Sequence, residues 1–300
     1  MEIQGANSTK SSKTKKWLIG CGIGCGVVIV GLVILGTAGY FFIKDIVQDF
    51  KESETLMDTL TERYGTTREF SPDPDGAIRP ARIEIFLAVR SSMAPAMEEM
   101  ERTINILSEM EQTDRDKEES SANIFTKIKT GLGFATQIAE FFRSRNQALL
   151  DNDMGMGEYY YIYVMSFYSL LGKSPTDGPP FRVEDQAARG RIMFTERHRE
   201  TQEDRMDMML KRVHRQIFPM LQNQYKRLTV WDFSRSKEKW RTALAAEIEA
   251  MESDRYRMPW GDGLPDILKT SLEPYRSRLE SSYSAVLNIF EGITEQRNEN

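Results

Sequence analysis

The longest uncharged stretch of the chain lies close to its start. From Trp17 to Ile43 the sequence reads WLIGCGIGCGVVIVGLVILGTAGYFFI, 27 residues without a charged side chain. A helix needs about 20 apolar residues to cross the hydrocarbon core of a bilayer, and a solvated loop of this length would carry charges. The pattern therefore predicts a transmembrane helix over residues 17–43, preceded by a basic, polar tail over residues 1–16.

Small residues recur within this stretch at helical spacing. Gly20 and Gly24 form a G-x-x-x-G pair, and Gly24, Gly31 and Ala38 follow one another every seven residues. A seam of small residues lets a second helix approach closely in a membrane, although glycine is also simply tolerated there. The phosphate-binding motifs G-x-G-x-x-G and G-K-S/T are absent. We therefore predict helix packing along this seam, with the same chain or another protein as the partner.

Lysine is concentrated on one side of the predicted span. Four lysines lie in residues 10–16, whereas the lysines that follow in KDIVQDFK are balanced by two aspartates. The positive-inside rule places the tail in the cytoplasm and residues 45–300 outside it. The apolar stretch is longer than the roughly 7–15 residues of a signal-peptide core. We therefore predict an uncleaved single-pass protein of the bacterial inner membrane with its bulk in the periplasm; cleavage at Gly36-Thr37-Ala38 is the alternative.

After the span, apolar residues recur every three or four positions, which is typical of amphipathic helices. The membrane helix is expected to continue as a helical stalk over residues 44–64 and to lead into an all-α domain over residues 65–300. This domain is predicted to be an irregular bundle of long helices. They are predicted over residues 82–111, 123–150, 183–228, about 20 residues around 240–251, and 268–293.

One segment departs from the amphipathic pattern. Residues 158–171, EYYYIYVMSFYSLL, are apolar or aromatic nearly all round. This composition predicts either the central helix of the bundle or a helix that lies against lipid or a partner, and its strand propensity leaves a strand as the alternative. Because a tyrosine keeps a polar tip, Tyr159, Tyr160 and Tyr163 are candidate residues of an interface or pocket.

Arg90 is the fourth candidate residue, because it falls in register with the apolar stripe of its predicted helix. An unpaired buried charge is strongly unfavourable, so a buried arginine needs a carboxylate partner. An internal ion pair is the favoured interpretation of Arg90, and contact with a ligand is the alternative.

Composition and charge restrict the partners. Residues 1–44 hold five of the 40 basic and one of the 45 acidic side chains, so residues 45–300 carry 35 basic and 44 acidic side chains. A nucleic-acid-binding domain is expected to be basic, so no nucleic-acid partner is predicted. The only cysteines, Cys21 and Cys25, lie inside the predicted span. The exported part therefore has neither a disulfide nor a thiol nucleophile, which fits a bacterial envelope protein better than a eukaryotic secreted one.

The sequence contains no recognisable catalytic or metal-binding motif. His198 and His214 are 16 positions apart, and neither belongs to an H-E-x-x-H motif, so both are expected to be exposed on charged helix faces. Asp73-Pro74-Asp75-Gly76 resembles part of a calcium loop but lacks its remaining ligands, so a turn is expected. The 16 methionines are interpreted as adaptable core residues. We predict no catalytic residue, metal or cofactor.

These features favour a non-catalytic, single-pass accessory or scaffold subunit of a larger bacterial membrane protein complex. Its transmembrane helix would pack against other integral membrane subunits, and its helical domain would cover the complex on the periplasmic side. The alternative is a membrane-tethered envelope sensor or ligand-binding domain, with Arg90 and the tyrosines around a pocket. An envelope hydrolase with convergent acidic residues or a Ser/Lys pair is a third hypothesis.

Overall fold

The computed structural model describes part of the chain. The described residues are 48, 50–114, 121–178, 202–228, 235–291 and 293, with the backbone alone over 107–114, 121–133, 135 and 235–237. The predicted tail and transmembrane segment, residues 1–43, lie outside this part, as do residues 183–201 of the long helix predicted over 183–228. None of the helices that the described residues form is long and apolar enough to cross a membrane.

All regular secondary structure in the described part is helical, which confirms the predicted helical bundle. Helix α1 covers residues 50–64. The remaining helices are a 3₁₀ turn at Thr67–Glu69, α2 at Pro80–Asp114, α3 at Ser121–Asp151, α4 at Met156–Tyr163, a π-helix at Val164–Leu170, α5 at Gln202–Leu228, α6 at Arg235–Ser253, α7 at Asp266–Leu272, a 3₁₀ turn at Glu273–Tyr275, α8 at Arg276–Ser282 and α9 at Asn288–Glu291.

The two longest helices of the described part, α2 and α3, pack against each other. Each repeats apolar side chains every three or four residues, so each has a continuous apolar face to bury. The buried positions include Ile83, Phe86, Met93 and Met100 in α2 and Ile138, Phe142 and Leu149 in α3. Gln137 donates from its Nε2 to Oε1 of Glu99 at 3.4 Å across the pair. The helices predicted over 82–111 and 123–150 are thus confirmed, with slightly longer bounds.

The aromatic segment 158–171 forms the centre of the bundle. Helix α4 continues directly into the π-helix, in which the Leu171 amide donates to the Ser166 carbonyl, five residues back, at 3.0 Å. Every side chain from Tyr159 to Met165 is at most 2% exposed. A helix that is buried on all sides must be apolar on all sides, which accounts for the unusual composition. The segment is helical, as predicted, and belongs to the core of the described chain.

Helix α1 packs against the body through one face. Ser53, Met57 and Leu60 are buried at four- and three-residue spacing. Asn146 in α3 donates from its Nδ2 to the Ser53 carbonyl at 3.1 Å and to the Ser53 hydroxyl at 3.2 Å. Contacts group residues 49–300 into one compact unit. Residues 50–64 of the segment predicted as a stalk are therefore helical and contribute to this core.

The single helix predicted over residues 268–293 is wrong, because the chain leaves the α-helical path twice. Pro274 has no N–H to donate, and the chain passes through a 3₁₀ turn there. At Ser282 the carbonyl oxygen, which a continuing helix would bond to an amide, instead accepts from Nη2 of Arg90 at 2.6 Å and Nε at 3.1 Å. Tyr283 is then extended. The apolar spacing persists because each short helix still faces the core.

Helices α5 and α6 form a second packed pair, and His214 lies between them. Its Nε2 is 2.8 Å from the Met251 carbonyl oxygen, and its ring stacks on Phe218 with 4.9 Å between ring centroids. The expectation that His214 is an exposed histidine is therefore wrong, because the side chain is half-buried and joins two helices. His198 lies outside the described residues.

The predicted turn at Asp73–Gly76 is present and supports one side of the core. The Gly76 amide donates to the Asp73 carbonyl at 3.0 Å, and Gly76 has a φ of +81°. The indole ring of Trp240 packs directly against it, so that a Cβ on Gly76 would lie 2.4 Å from Cε2 of Trp240. Only glycine meets both requirements, a left-handed backbone and a close ring contact.

Gly76→Ala is expected to lower the free energy of unfolding by about 3 kcal/mol, because it adds a steric clash to the cost of a left-handed backbone. Gly172→Ala is the matched control: Gly172 has a φ of +64°, and nothing lies within 4 Å of the point that an alanine Cβ would occupy there. This control should lose only about 1 kcal/mol. Urea unfolding of both variants measures the difference, and equal losses would show that the Trp240 contact is unimportant.

Candidate functional site

The most unusual feature of the described core is a buried ion pair between two residues that are 201 positions apart in the chain. The Nη1 of Arg90, in α2, binds Oε1 of Glu291, in α9, and the two side chains are 2% and 1% exposed. Arg90 also donates to the Tyr159 hydroxyl at 3.0 Å, and this hydroxyl donates to Oε2 of Glu291 at 2.9 Å. The carboxylate that a buried Arg90 requires is therefore Glu291, and Tyr159 closes a three-membered polar network.

Aromatic rings surround the Arg90 guanidinium. Its Cζ lies 5.7 Å from the ring centroid of Tyr163 and 5.6 Å from that of Phe167. Burial by itself lowers the pKa of Arg90, but the Glu291 carboxylate and the neighbouring tyrosine oxygens raise this pKa above its ordinary value. Burial also raises the pKa of Tyr159 and of Tyr163. Arg90 therefore stays charged and both hydroxyls stay protonated.

Asn288 forms a second buried polar centre, one helical turn before Glu291. Its side chain is fully buried, and its Oδ1 accepts from the hydroxyls of Tyr163 and Tyr168, both at 2.8 Å. Its Nδ2 donates to the carbonyls of Ser174 at 3.1 Å and Pro175 at 2.8 Å. A single side chain thus joins the aromatic helix, the loop that follows it and α9.

Two further buried arginines bind the same part of the chain, residues 282–291 and 293, called the C-terminal segment below. Arg145, in α3, donates from Nη1 to the Ile293 carbonyl at 3.2 Å, and its guanidinium lies over Phe142. Arg212, in α5, donates from Nη1 to the Ile289 carbonyl at 3.0 Å. With Arg90, three guanidinium groups from three helices donate to carbonyls of one segment, which satisfies backbone groups that a broken helix leaves open.

The four residues predicted to form an interface or pocket are close together in the fold, whereas the predicted helix-packing residues Gly20, Gly24, Gly31 and Ala38 lie outside the described residues. Arg90 and Tyr159 are in direct contact, and the Arg90 guanidinium lies over the ring of Tyr163. Tyr160 is buried beside Tyr163, with parallel rings 6.3 Å apart, and burial raises its pKa as well. All four side chains are at most 3% exposed.

Sequence reasoning missed four polar residues of this region: Glu291, Asn288, Arg145 and Arg212. Two of them carried a readable signal, since Arg145 and Arg212 lie three residues from Phe142 and Met209 within the apolar stripes of their helices. Glu291 and Asn288 had no such signal, because both positions fall on the solvent face of the continuous helix predicted over residues 268–293. The broken helix brings both side chains inward.

A cleft of about 470 Å³ opens beside Arg90, between α2 and the end of α8. Its walls combine apolar residues of α2, including Leu87 and Met97, with serines 281, 282 and 284. This volume is within the range of small-molecule sites, about 300–1,000 Å³. Tyr159, Tyr160 and Tyr163 do not line the cleft, so the pocket and the aromatic core are separate features.

The network around Glu291 is arranged to hold helices together. Its carboxylate is fully buried and bound by Arg90 and Tyr159, so a substrate would have to displace both groups to reach it. Within the described part of the chain, no three His, Cys, Asp or Glu side chains are grouped as metal ligands. The chain matches no protein family model, no curated protein and no solved structure.

Proposed function

We propose that this protein is a non-catalytic, single-pass accessory or scaffold subunit of a larger bacterial membrane protein complex. Residues 17–43 cross the inner membrane, residues 1–16 remain in the cytoplasm, and the helical body lies in the periplasm. The observation that carries the proposal is the uncharged 27-residue stretch, with lysines on one side only.

The helical body supports a structural role. The polar groups around α9 bind one another: Arg90 pairs with Glu291, and Asn288 accepts from the hydroxyls of Tyr163 and Tyr168. Networks satisfied in this way favour a single, well-defined packing of a core. Such a body presents a rigid surface, which is what a subunit that covers or spaces other proteins requires.

The membrane part of the proposal is tested by fractionation of cells that express the full chain. We expect the protein to sediment with membranes and to stay there after alkaline carbonate washing. Protease added to spheroplasts should digest the helical body and leave an epitope in residues 1–16 intact. Release by carbonate, or digestion of the epitope before the body, would refute the proposed topology.

The partner is tested at the glycine seam. Gly24→Leu combined with Gly31→Leu should abolish co-purification of integral membrane proteins from gently solubilised membranes, because leucine keeps two helices apart. Ile29→Phe adds bulk on the opposite face of the proposed helix and should leave co-purification unchanged. A wild-type protein that is isolated alone, as a monomer, would refute the subunit role.

A second function is favoured by one observation, the cleft beside Arg90. A membrane-tethered ligand-binding domain of the envelope would use this cleft, with Arg90 in its wall. The pocket would then be linked to the buried aromatic helix through Arg90, which lines the cleft and donates to the Tyr159 hydroxyl.

A further inference from the structure

Helix α1 is a short element that the body holds along one face. It covers residues 50–64, and its buried side chains are those of Ser53, Met57 and Leu60. An isolated helix of this length is marginal in water, so α1 depends on its packing against the body. The ion pair between Arg63 and Asp153 is exposed and adds little to this attachment.

The polar contact on the buried face of α1 belongs to a chain of hydrogen bonds through two fully buried residues of α3, Arg145 and Asn146. Asn146 donates from Nδ2 to the carbonyl and the hydroxyl of Ser53, as described above. Its Oδ1 accepts from Nε and Nη2 of Arg145, both at 3.2 Å. Arg145 donates in turn from Nη1 to the Ile293 carbonyl. These bonds join α1 to the C-terminal segment.

The two ends of this chain of hydrogen bonds support each other. Release of α1 would remove two acceptors of the Asn146 amide and uncover the bonds that Arg145 makes beside it. A hydrogen bond is weaker in contact with water than in a buried site, so the bond from Arg145 to the Ile293 carbonyl would weaken. Release of the C-terminal segment would uncover Arg145 and Asn146 from the other side in the same way.

The C-terminal segment also forms part of the wall of the cleft. Its first three residues, Ser282, Tyr283 and Ser284, line the cleft. Arg90, in the same wall, holds both the Ser282 carbonyl and the Glu291 carboxylate. A loosened C-terminal segment would therefore loosen this wall as well.

We propose that α1 is a strap on the C-terminal segment: its release from α3 loosens that segment and, with it, the wall of the cleft. Helix α1 begins at residue 50, shortly after the proposed membrane span ends at residue 43, so a displacement of the span would act on α1 first. This trigger rests on the proposed topology. The coupling itself rests only on contacts within the helical body and goes beyond the proposed subunit role.

Hydrogen–deuterium exchange of the purified full-length protein in detergent tests the coupling. Leu60→Ala weakens the packing of α1 and leaves every residue of the hydrogen-bond chain in place. The amides of residues 288, 290 and 293 donate to carbonyls of their own segment at 3.4, 2.9 and 3.1 Å, so they are protected in the wild type. We expect the amides of α1 to exchange faster, and these three amides to exchange about tenfold faster as well.

Leu244→Ala is the matched control. Leu244 lies in α6, and its side chain is buried as completely as that of Leu60. The same truncation there should leave the amides of residues 288, 290 and 293 at their wild-type rates. The exchange rates do not depend on the membrane topology, which the carbonate and protease experiments test separately.

Asn288→Leu tests the coupling in the reverse direction, because a coupling free energy between two sites is reciprocal. It changes no residue of α1 or α3, and it should speed exchange of the α1 amides. Amides of α6 in the same sample report global unfolding, and their rates should rise less than those of α1. The proposal is overturned if faster exchange stays confined to α1 in Leu60→Ala or to the C-terminal segment in Asn288→Leu. It is also overturned if Leu244→Ala speeds the three amides as much as Leu60→Ala does.

Discussion

Replacing Arg90 with methionine is expected to lower the free energy of unfolding by about 3–5 kcal/mol, because it leaves the Glu291 carboxylate charged and buried without its partner. The same change also removes the donors to the Ser282 carbonyl and to the Tyr159 hydroxyl. Urea unfolding followed by circular dichroism measures the loss. Arg278→Met breaks an ion pair in which both side chains are about half exposed, so it should reduce the free energy of unfolding far less than Arg90→Met does.

A double variant separates the ion pair from the packing around it. Arg90→Met combined with Glu291→Leu removes both charges, so we expect it to be more stable than Arg90→Met alone. Recovery should be incomplete, since the Ser282 carbonyl still lacks its donors. If the two single losses simply add in the double variant, the buried charge of Glu291 is not the cause of the instability.

Replacing Asn288 with leucine is the second large effect that we expect, about 3 kcal/mol or more. The substitution removes the acceptor of two buried hydroxyls, those of Tyr163 and Tyr168, and the donor to the Ser174 and Pro175 carbonyls. Each buried polar group that loses its partner costs about 1–3 kcal/mol. The measurement is again urea unfolding, with the slope of the transition monitored to detect a loosened native state.

Removing the two hydroxyls that lose their acceptor tests whether their unpaired burial causes the loss of stability. In the Asn288→Leu background, Tyr163→Phe and Tyr168→Phe should each restore stability, whereas in the wild-type background both should reduce it. The effect of each Tyr→Phe change on stability reverses its sign for a simple reason. The tyrosine hydroxyl has an acceptor when residue 288 is asparagine and has none when residue 288 is leucine. Losses of the same sign in both backgrounds would show that the hydroxyls do not bind Asn288 as described.

The helical class of the fold and its long helices could be predicted from sequence because they depend on local periodicity. Apolar spacing located α2 and α3, and the all-round apolar composition of residues 158–171 correctly indicated a segment with no solvent face. Arg90 was recognisable for the same reason, as a charge within an apolar stripe. These features can be read within a few turns of one helix.

The partners of these residues could not be predicted, because they depend on tertiary contacts between distant positions. Arg90 and Glu291 are 201 positions apart, and Tyr159 and Glu291 are 132 apart. The break at Ser282 is also a tertiary effect, in which an arginine of another helix binds the carbonyl that helix propagation would use. A prediction from periodicity alone extends the helix past Ser282. It therefore places the side chains of Asn288 and Glu291 on the solvent face instead of in the core.

The contacts of the C-terminal segment have a consequence for biosynthesis. Arg90 leaves the ribosome 201 positions before Glu291, and Tyr163 precedes Asn288 by 125 positions. Native pairing of these groups must therefore wait until residues 288 and 291 have been synthesised, and contacts of such high sequence separation form slowly. Until then the growing chain exposes an aromatic helix and an unmatched arginine, which makes the interval one in which a chaperone would be of most use.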